Sequence, residues 1–177
     1  MNLLSRNEEF RLSVLIRAFK AAWAELNKPK TYVTGDEFQQ YVRNCLFPKE
    51  GYDLVHQTHG YEANKNDFVE TSKGPDFRFR SRRNGREFLV EVKYRSRLFR
   101  GAVEWCKPYQ LERYKTIDRA VPVFVAIGLG GHPESPGHVY IVPVRHIPYR
   151  RLFPSVLRPY EVPPDQCVNV DRVLLSH

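Results

Sequence analysis

The dipeptide Asn84-Gly85 sits between two runs of alternating character, "DFRFRSR" beginning at Asp76 and "REFLVEVKYR" beginning at Arg86. Alternation with period two is the pattern of a half-buried strand, and Asn-Gly between two such runs is the strongest short-range hairpin signal. With Asn84-Gly85 as a two-residue loop, Arg83 faces Arg86, Asp76 lies opposite Lys93 and Arg78 opposite Glu91. Paired residues share a face of the sheet, so one face carries Phe77, Phe79, Phe88, Val90 and Val92 and belongs to the core. The other carries Asp76, Arg78, Arg80, Glu91 and Lys93.

Charges in a buried strand are expensive unless something compensates them. In this register Asp76 and Glu91 are diagonal neighbours, with Cα atoms about 7–8 Å apart. Two carboxylates at that separation reach one cation. A hard cation such as Mg2+, with Mn2+ as a substitute, takes carboxylate oxygens and keeps several waters. Two carboxylates and one backbone carbonyl leave such places open. Lys93 then places a positive charge beside a metal-bound water and an approaching phosphate. The alternative reading is an exposed cross-strand ladder of Asp76–Lys93 and Arg78–Glu91, which contributes little to stability.

Charge distribution points toward a polyanion. The net charge is +8, and residues 78–100 hold nine Lys or Arg against Glu87 and Glu91 alone. Arg78, Arg80, Arg82, Arg95 and Arg97 form a basic track suited to nucleic-acid phosphates. With 42% hydrophobic and 13% aromatic residues, the 177-residue chain is expected to form one domain with a sizeable core. No run approaches the roughly 20 apolar residues that cross a bilayer, so no membrane partner is expected. "MNLLSRNEEF" lacks a basic segment followed by an apolar one, so no secretory signal is expected. Cys45, Cys106 and Cys167 are odd in number and far apart, which fits reduced thiols in the cytoplasm.

The remaining elements follow from periodicity and punctuation. Leu12, Leu15, Ile16, Phe19, Ala22, Trp23 and Leu26 recur at helical spacing after a Ser5/Glu8 capping box, predicting a helix over about 5–27. Thr34 and Glu37 suggest a second capping box that opens a helix to about Leu46, with Phe38, Tyr41, Val42 and Cys45 on its apolar face. "YDLVHQTH" predicts a strand and "EANKND" a polar loop. "KPYQLERYKTIDR" predicts a helix with Pro108 in its first turn, "VPVFVAIGL" a strand buried on both faces, "GLGGHPESPG" a loop and "HVYIVPV" a further strand. Six prolines from Pro143 onward suggest a short helix near Tyr149–Phe153 and then an irregular tail. A strand–helix–strand connection from Arg95 to Val121 makes parallel neighbours, whereas the hairpin is antiparallel. The sheet is therefore mixed and carries helices, an α/β fold.

Pro75-Asp76, then 14 residues, then Glu91-Val92-Lys93 resembles the PD-(D/E)XK signature of the restriction-endonuclease-like nucleases. The resemblance covers about residues 34–128 and implies a core in the order α-β-β-β-α-β. The N-terminal helix and the proline-rich tail, about 143–177, lie outside it. It implies that Asp76 and Glu91 are metal ligands, with the Val92 carbonyl as a third. Lys93 is implied to activate the attacking water or stabilise the transition state. Gln110 matches a glutamine often found near that lysine. A glutamate on the first core helix often completes such sites. Here "GDEFQQYV" offers Glu37 before the phenylalanine and Gln39 after it, where the family more usually has the acid, and Glu62 and Glu70 are weaker substitutes. The activity implied is Mg2+-dependent hydrolysis of DNA phosphodiester bonds, with endonuclease action favoured over exonuclease action. The 177 residues leave little room for a separate specificity domain, which favours junction, repair or structure-selective work over sequence-specific restriction, and a homodimer is compatible with this. The alternatives are an inactive nucleic-acid-binding module of the same fold and an RNA-directed nuclease.

Overall fold

The computed structural model describes residues 10–11, 13–20, 30–58, 74–164 and 166–175. The chain divides into two compact units, Met1–Val33 and Thr34–His177. In the first, residues 13–20 are helical as the spacing predicts, while Leu12, Ala22, Trp23, Leu26 and the Ser5/Glu8 pair lie outside the described residues.

The second unit is built on a six-stranded mixed sheet in the order β1-β2-β3-β5-β6-β8. β1 (Tyr52–Gln57) and β8 (Glu161–Val162) form its edges, with β2 (Phe77–Ser81), β3 (Glu87–Arg95), β5 (Val123–His132) and β6 (Ser135–Pro143) between them. Strands β1, β2 and β3 pair antiparallel, β3 and β5 parallel, and β5 and β6 antiparallel. The helix α2 (Pro108–Asp118) connects the parallel pair. A separate two-stranded ribbon joins β4 (Val103–Glu104) to β7 (Arg151–Leu152).

The helix α1 (Lys30–Tyr41) continues as a π-helical turn, Val42–Leu46. Its end at Leu46 is where Pro48 and Gly51 place it, but Thr34 lies inside the helix rather than at its start. Phe38, Tyr41, Val42 and Leu46 are buried and pack on one sheet face with Phe77, Phe79, Phe88, Val90 and Val92. The hairpin's apolar face is thus the core face that the alternation predicts. On the opposite side of the sheet, Leu111 and Tyr114 of α2 pack with Trp105, Val123, Val125 and Ile127. Every residue from Val123 to Ile127 is fully buried, because that stretch has core on both faces.

The hairpin's register differs from the expected one by two residues. Arg78 pairs with Leu89 rather than Glu91, and Arg80 with Glu87. The loop is longer than Asn84-Gly85. Ser81 N–H bonds to Arg86 O and Gly85 N–H to Ser81 O, and Gly85 adopts φ 71°. Asn84 also bends its side chain back, its Oδ1 accepting from Arg86 N–H at 3.1 Å. A four-residue loop with one left-handed glycine replaces the tight turn. The shift is even, so each side chain keeps its face. The expected pairs Asp76–Lys93 and Arg78–Glu91 are therefore not formed.

Two other expectations change. Gly128–His132 continue β5, and β6 begins at Ser135, so the "GLGG" segment is strand and only the next residues turn. Gly130 and Gly131 take positive φ within that arm. Near Tyr149–Phe153 there is the strand β7, and the helix α3 (Pro154–Leu157) starts just after it with Pro154 in its first turn. The tail also contributes β8 and α4 (Val170–Leu175), and Val168 and Val170 are buried in the α1-side core.

Gly128 marks where α1 meets the sheet. A Cβ built there would lie 2.6 Å from Phe38 Cε2, in a ring that is itself fully buried. Gly128→Ala is expected to destabilise the protein by about 1–3 kcal/mol, the usual range for overpacking. Chemical denaturation of the two proteins checks this, and equal midpoints would mean that Phe38 has room to move.

Candidate active site

The second face of the hairpin is open to solvent over β2 and covered over β3. Arg78 and Arg80 are exposed, whereas Leu89 packs against the α2-side core and Glu91 is only 3% exposed. The covering element is α2, whose first turn closes when Gln110 Oε1 accepts from Lys107 N–H at 2.9 Å. One turn later Tyr114 points onto Glu91.

Glu91 has a partner on each oxygen. Lys93 Nζ lies 2.6 Å from Oε1, and the Tyr114 hydroxyl donates to Oε2 at 2.8 Å. Continuing the β2–β3 register one step past Phe77↔Val90 places Asp76 opposite Glu91. The Asp76 carboxylate accepts the Val92 N–H on Oδ2 at 2.7 Å and meets Gln39 Nε2 from α1 at 3.4 Å. Gln39 is in turn met by Gln57 Nε2 of β1 at 3.5 Å. The Asp76 carbonyl takes the Thr58 N–H, and the Thr58 hydroxyl donates to Pro75 O. Asp76, Glu91 and Lys93 are thus fixed by four elements, α1, β1, β3 and α2.

Electrostatics identify Asp76 as the strained member. Burial first, and the Glu91 charge second, push its carboxyl up to about 7, against smaller opposing effects of Lys93 and the Val92 N–H. Burial acts to lower the Lys93 ammonium, but the charges of Glu91 and Asp76 outweigh it and the net shift is upward. Tyr114 is raised by burial and then by Glu91, so it stays a neutral donor.

The other expected residues divide. Gln110 shares a cavity with Lys93, but its side-chain oxygen is used to cap α2 and no contact ties it to the carboxylates. Gln39, not Glu37, is the α1 side chain that reaches Asp76. The sequence signal for it was its position directly after Phe38. Glu62 and Glu70 lie outside the described residues. Among the described residues, no group of three or more His, Cys, Asp or Glu side chains could hold a metal ion. Among the described residues, the acids of the site are the pair Asp76 and Glu91. Tyr114 was not anticipated, since its helical spacing with Leu111 reads as an apolar face.

The basic track is partly neutralised. Arg78 and Arg80 share Glu87, each at 2.6 Å, and Arg82 pairs with Asp53 at 2.6 Å. Arg95 donates to the carbonyls of Tyr94 and Glu104, and among the described residues it forms no salt bridge. Arg97 is exposed and forms no salt bridge among the described residues.

No protein-family model matches the chain. No curated protein matches it. Among solved structures, it is similar to the 1.6 Å structure of Hjc, a Holliday junction resolvase from the hyperthermophilic archaeon Archaeoglobus fulgidus. The TM-score is 0.48 at 18% identity, covering 72% of this chain and 89% of that one. In its Pro75-Asp76…Glu91-Val92-Lys93 motif, carried at the centre of a mixed sheet flanked by helices, the chain resembles the PD-(D/E)XK nucleases.

Proposed function

We propose that the chain is a metal-dependent phosphodiesterase acting on DNA. One observation carries this reading: two carboxylates, Asp76 and Glu91, are held together beside Lys93, and burial, followed by the Glu91 charge, drives Asp76 toward protonation. Two carboxylates side by side, Glu91 buried and Asp76 partly so, oppose each other. Their oxygens are hard donors, and one or two carboxylates are what Mg2+ or Mn2+ ordinarily takes from a protein, so the donor set fits. Asp76, Glu91 and the Val92 carbonyl would hold the ion, which when bound supplies charge stabilisation at phosphate and a more acidic water.

The chain's own residues do the rest. Lys93 sits within reach of both acids and of the adjoining cavity, placed to stabilise negative charge developing on a phosphate oxygen. Tyr114 and the Val92 N–H hold the carboxylates still, so that little reorganisation accompanies reaction. Gln39 takes a place beside Asp76 without adding charge.

That same glutamine supports a second reading, a nucleic-acid-binding module without cleavage. Plasmid and branched-DNA substrates incubated with Mg2+, Mn2+ or Ca2+ separate the two. Cleavage with Mg2+ or Mn2+ that is lost in Asp76→Ala supports the nuclease. Tight, salt-sensitive DNA binding without cleavage under any metal supports the binding module.

A further inference from the structure

A cavity of about 550 Å3 opens beside the site and shares Lys93 with it. Arg95, Arg97, Lys107 and Gln110 line it, and Phe99 stands at its wall. The cations outnumber the carboxylates: among the described residues Glu104 is the one acid in the lining, and it already pairs with Arg150 at 3.4 Å. A phosphate therefore suits this cavity better than a cation does.

Phe99 is 62% exposed, an unusual position for a large ring in a wall of charges. It is held there on purpose-built backbone. Phe99 and Ala102 bridge through reciprocal bonds, Phe99 N–H to Ala102 O at 2.9 Å and Ala102 N–H to Phe99 O at 3.2 Å. The two residues between them, Arg100 and Gly101, have φ 49° and 74°, as a tight two-residue hairpin loop requires. Asn or Gly is the easy choice at the first of these positions, and Arg100 is not an easy residue there. Its guanidinium lies over the Phe99 ring, 5.3 Å from the centroid. Arg151 Nη2 from β7 donates to the Arg100 carbonyl and braces the turn. A cation backs one side of an exposed, fixed ring.

The geometry points to a binding site for one unpaired nucleotide of the DNA, its base stacked on Phe99 and its phosphate between Arg97 and Lys107, next to Lys93. Aromatic platforms with a flanking basic groove are how proteins hold single strands. The volume lies in the range of about 300–1,000 Å3 typical of small-molecule clefts. Stacking one base on a ring strengthens binding by about 5- to 150-fold. Extruding a base from an intact duplex costs a comparable amount. The site therefore gains nothing from paired DNA and favours nucleotides already unpaired, at a flap, a branch or an end. This inference rests on the nuclease reading for the meaning of its place beside Lys93.

The test measures fluorescence anisotropy without metal, using a labelled single strand, a blunt duplex and the same duplex carrying a single-stranded flap. Phe99→Ala is expected to weaken the single strand and the flap by about 5- to 150-fold and to leave the blunt duplex unchanged. Phe99→Trp should retain wild-type binding. Because Phe99 is exposed, both variants should melt as the wild type does. Equal affinity of Phe99→Ala for the flap, or an equal loss on all three DNAs, overturns the site. Plasmid cleavage by the wild type is scored in parallel. Cleavage with an unaltered Phe99→Ala affinity removes this inference alone. A Phe99-dependent preference without any cleavage keeps the site and removes the nuclease reading.

Discussion

Lys93→Ala is expected to lower DNA cleavage by about 10²- to 10³-fold, the usual cost of removing one group that stabilises transition-state charge. Asp76→Ala is expected to remove cleavage entirely. The two fail differently. Asp76 is proposed as a ligand, so calorimetry with Mn2+ should show no binding to Asp76→Ala and retained binding to Lys93→Ala. Stability separates them further. Glu91 is buried, and Lys93 is the charge on its Oε1. Removing Lys93 leaves a buried carboxylate with only the Tyr114 hydroxyl, a change that is strongly destabilising. As a proposed ligand, Glu91 would regain a cationic partner from bound Mn2+. Mn2+ should therefore raise the melting temperature of Lys93→Ala more than that of the wild type. If Lys93→Ala cleaves normally, the lysine serves only to neutralise Glu91. If neither protein binds a divalent ion, the charges are a structural cluster and the nuclease reading fails.

Much of this site could be read from the chain because its determinants are local. The alternation around Asn84-Gly85 gave the faces of Phe77, Phe79, Phe88, Val90 and Val92 correctly, even though the loop is longer than two residues. Face depends only on parity, so an even register error leaves it intact. Register itself depends on loop conformation, which is set by Ser81, Asn84 and Gly85 acting together. The pairing of Arg78 and Arg80 with Glu87 followed from that register and was missed with it. What covers a strand is less local still. Glu91 reads as a charge in a buried strand, but what buries it is α2, which follows a short ribbon and lays Tyr114 over it. Nothing in the period-two pattern carries that information. Gln39 reached Asp76 by the same kind of long-range approach, across 37 positions of sequence.

The second large effect concerns Asp76 without metal. Its carboxyl is raised from the usual 3.8 to about 7 by burial and by Glu91. A group raised in the folded state contributes stability that is fully present below its unfolded pKa and is lost as pH rises through the folded one. The Asp76 contribution is therefore lost between about pH 4 and pH 7. Lys93 is raised as well, so its contribution is lost only in the alkaline range and adds no slope in this window. Asp76→Asn keeps an oxygen for the Val92 N–H and never ionises. The full shift corresponds to at most about 4 kcal/mol, and the part-exposed position of Asp76 reduces that. In chelator at about pH 8, Asp76→Asn is expected to exceed the wild type in unfolding free energy by roughly 2–3 kcal/mol, and the two should converge near pH 4. Saturating Mn2+ should raise the wild type and leave Asp76→Asn where it was, since the variant has lost the anionic ligand. Parallel pH profiles in chelator would mean that Lys93 and the Val92 N–H already satisfy Asp76. The pair of acids would then have no electrostatic need of a cation, and the strongest physical argument for a metal at this site would be gone.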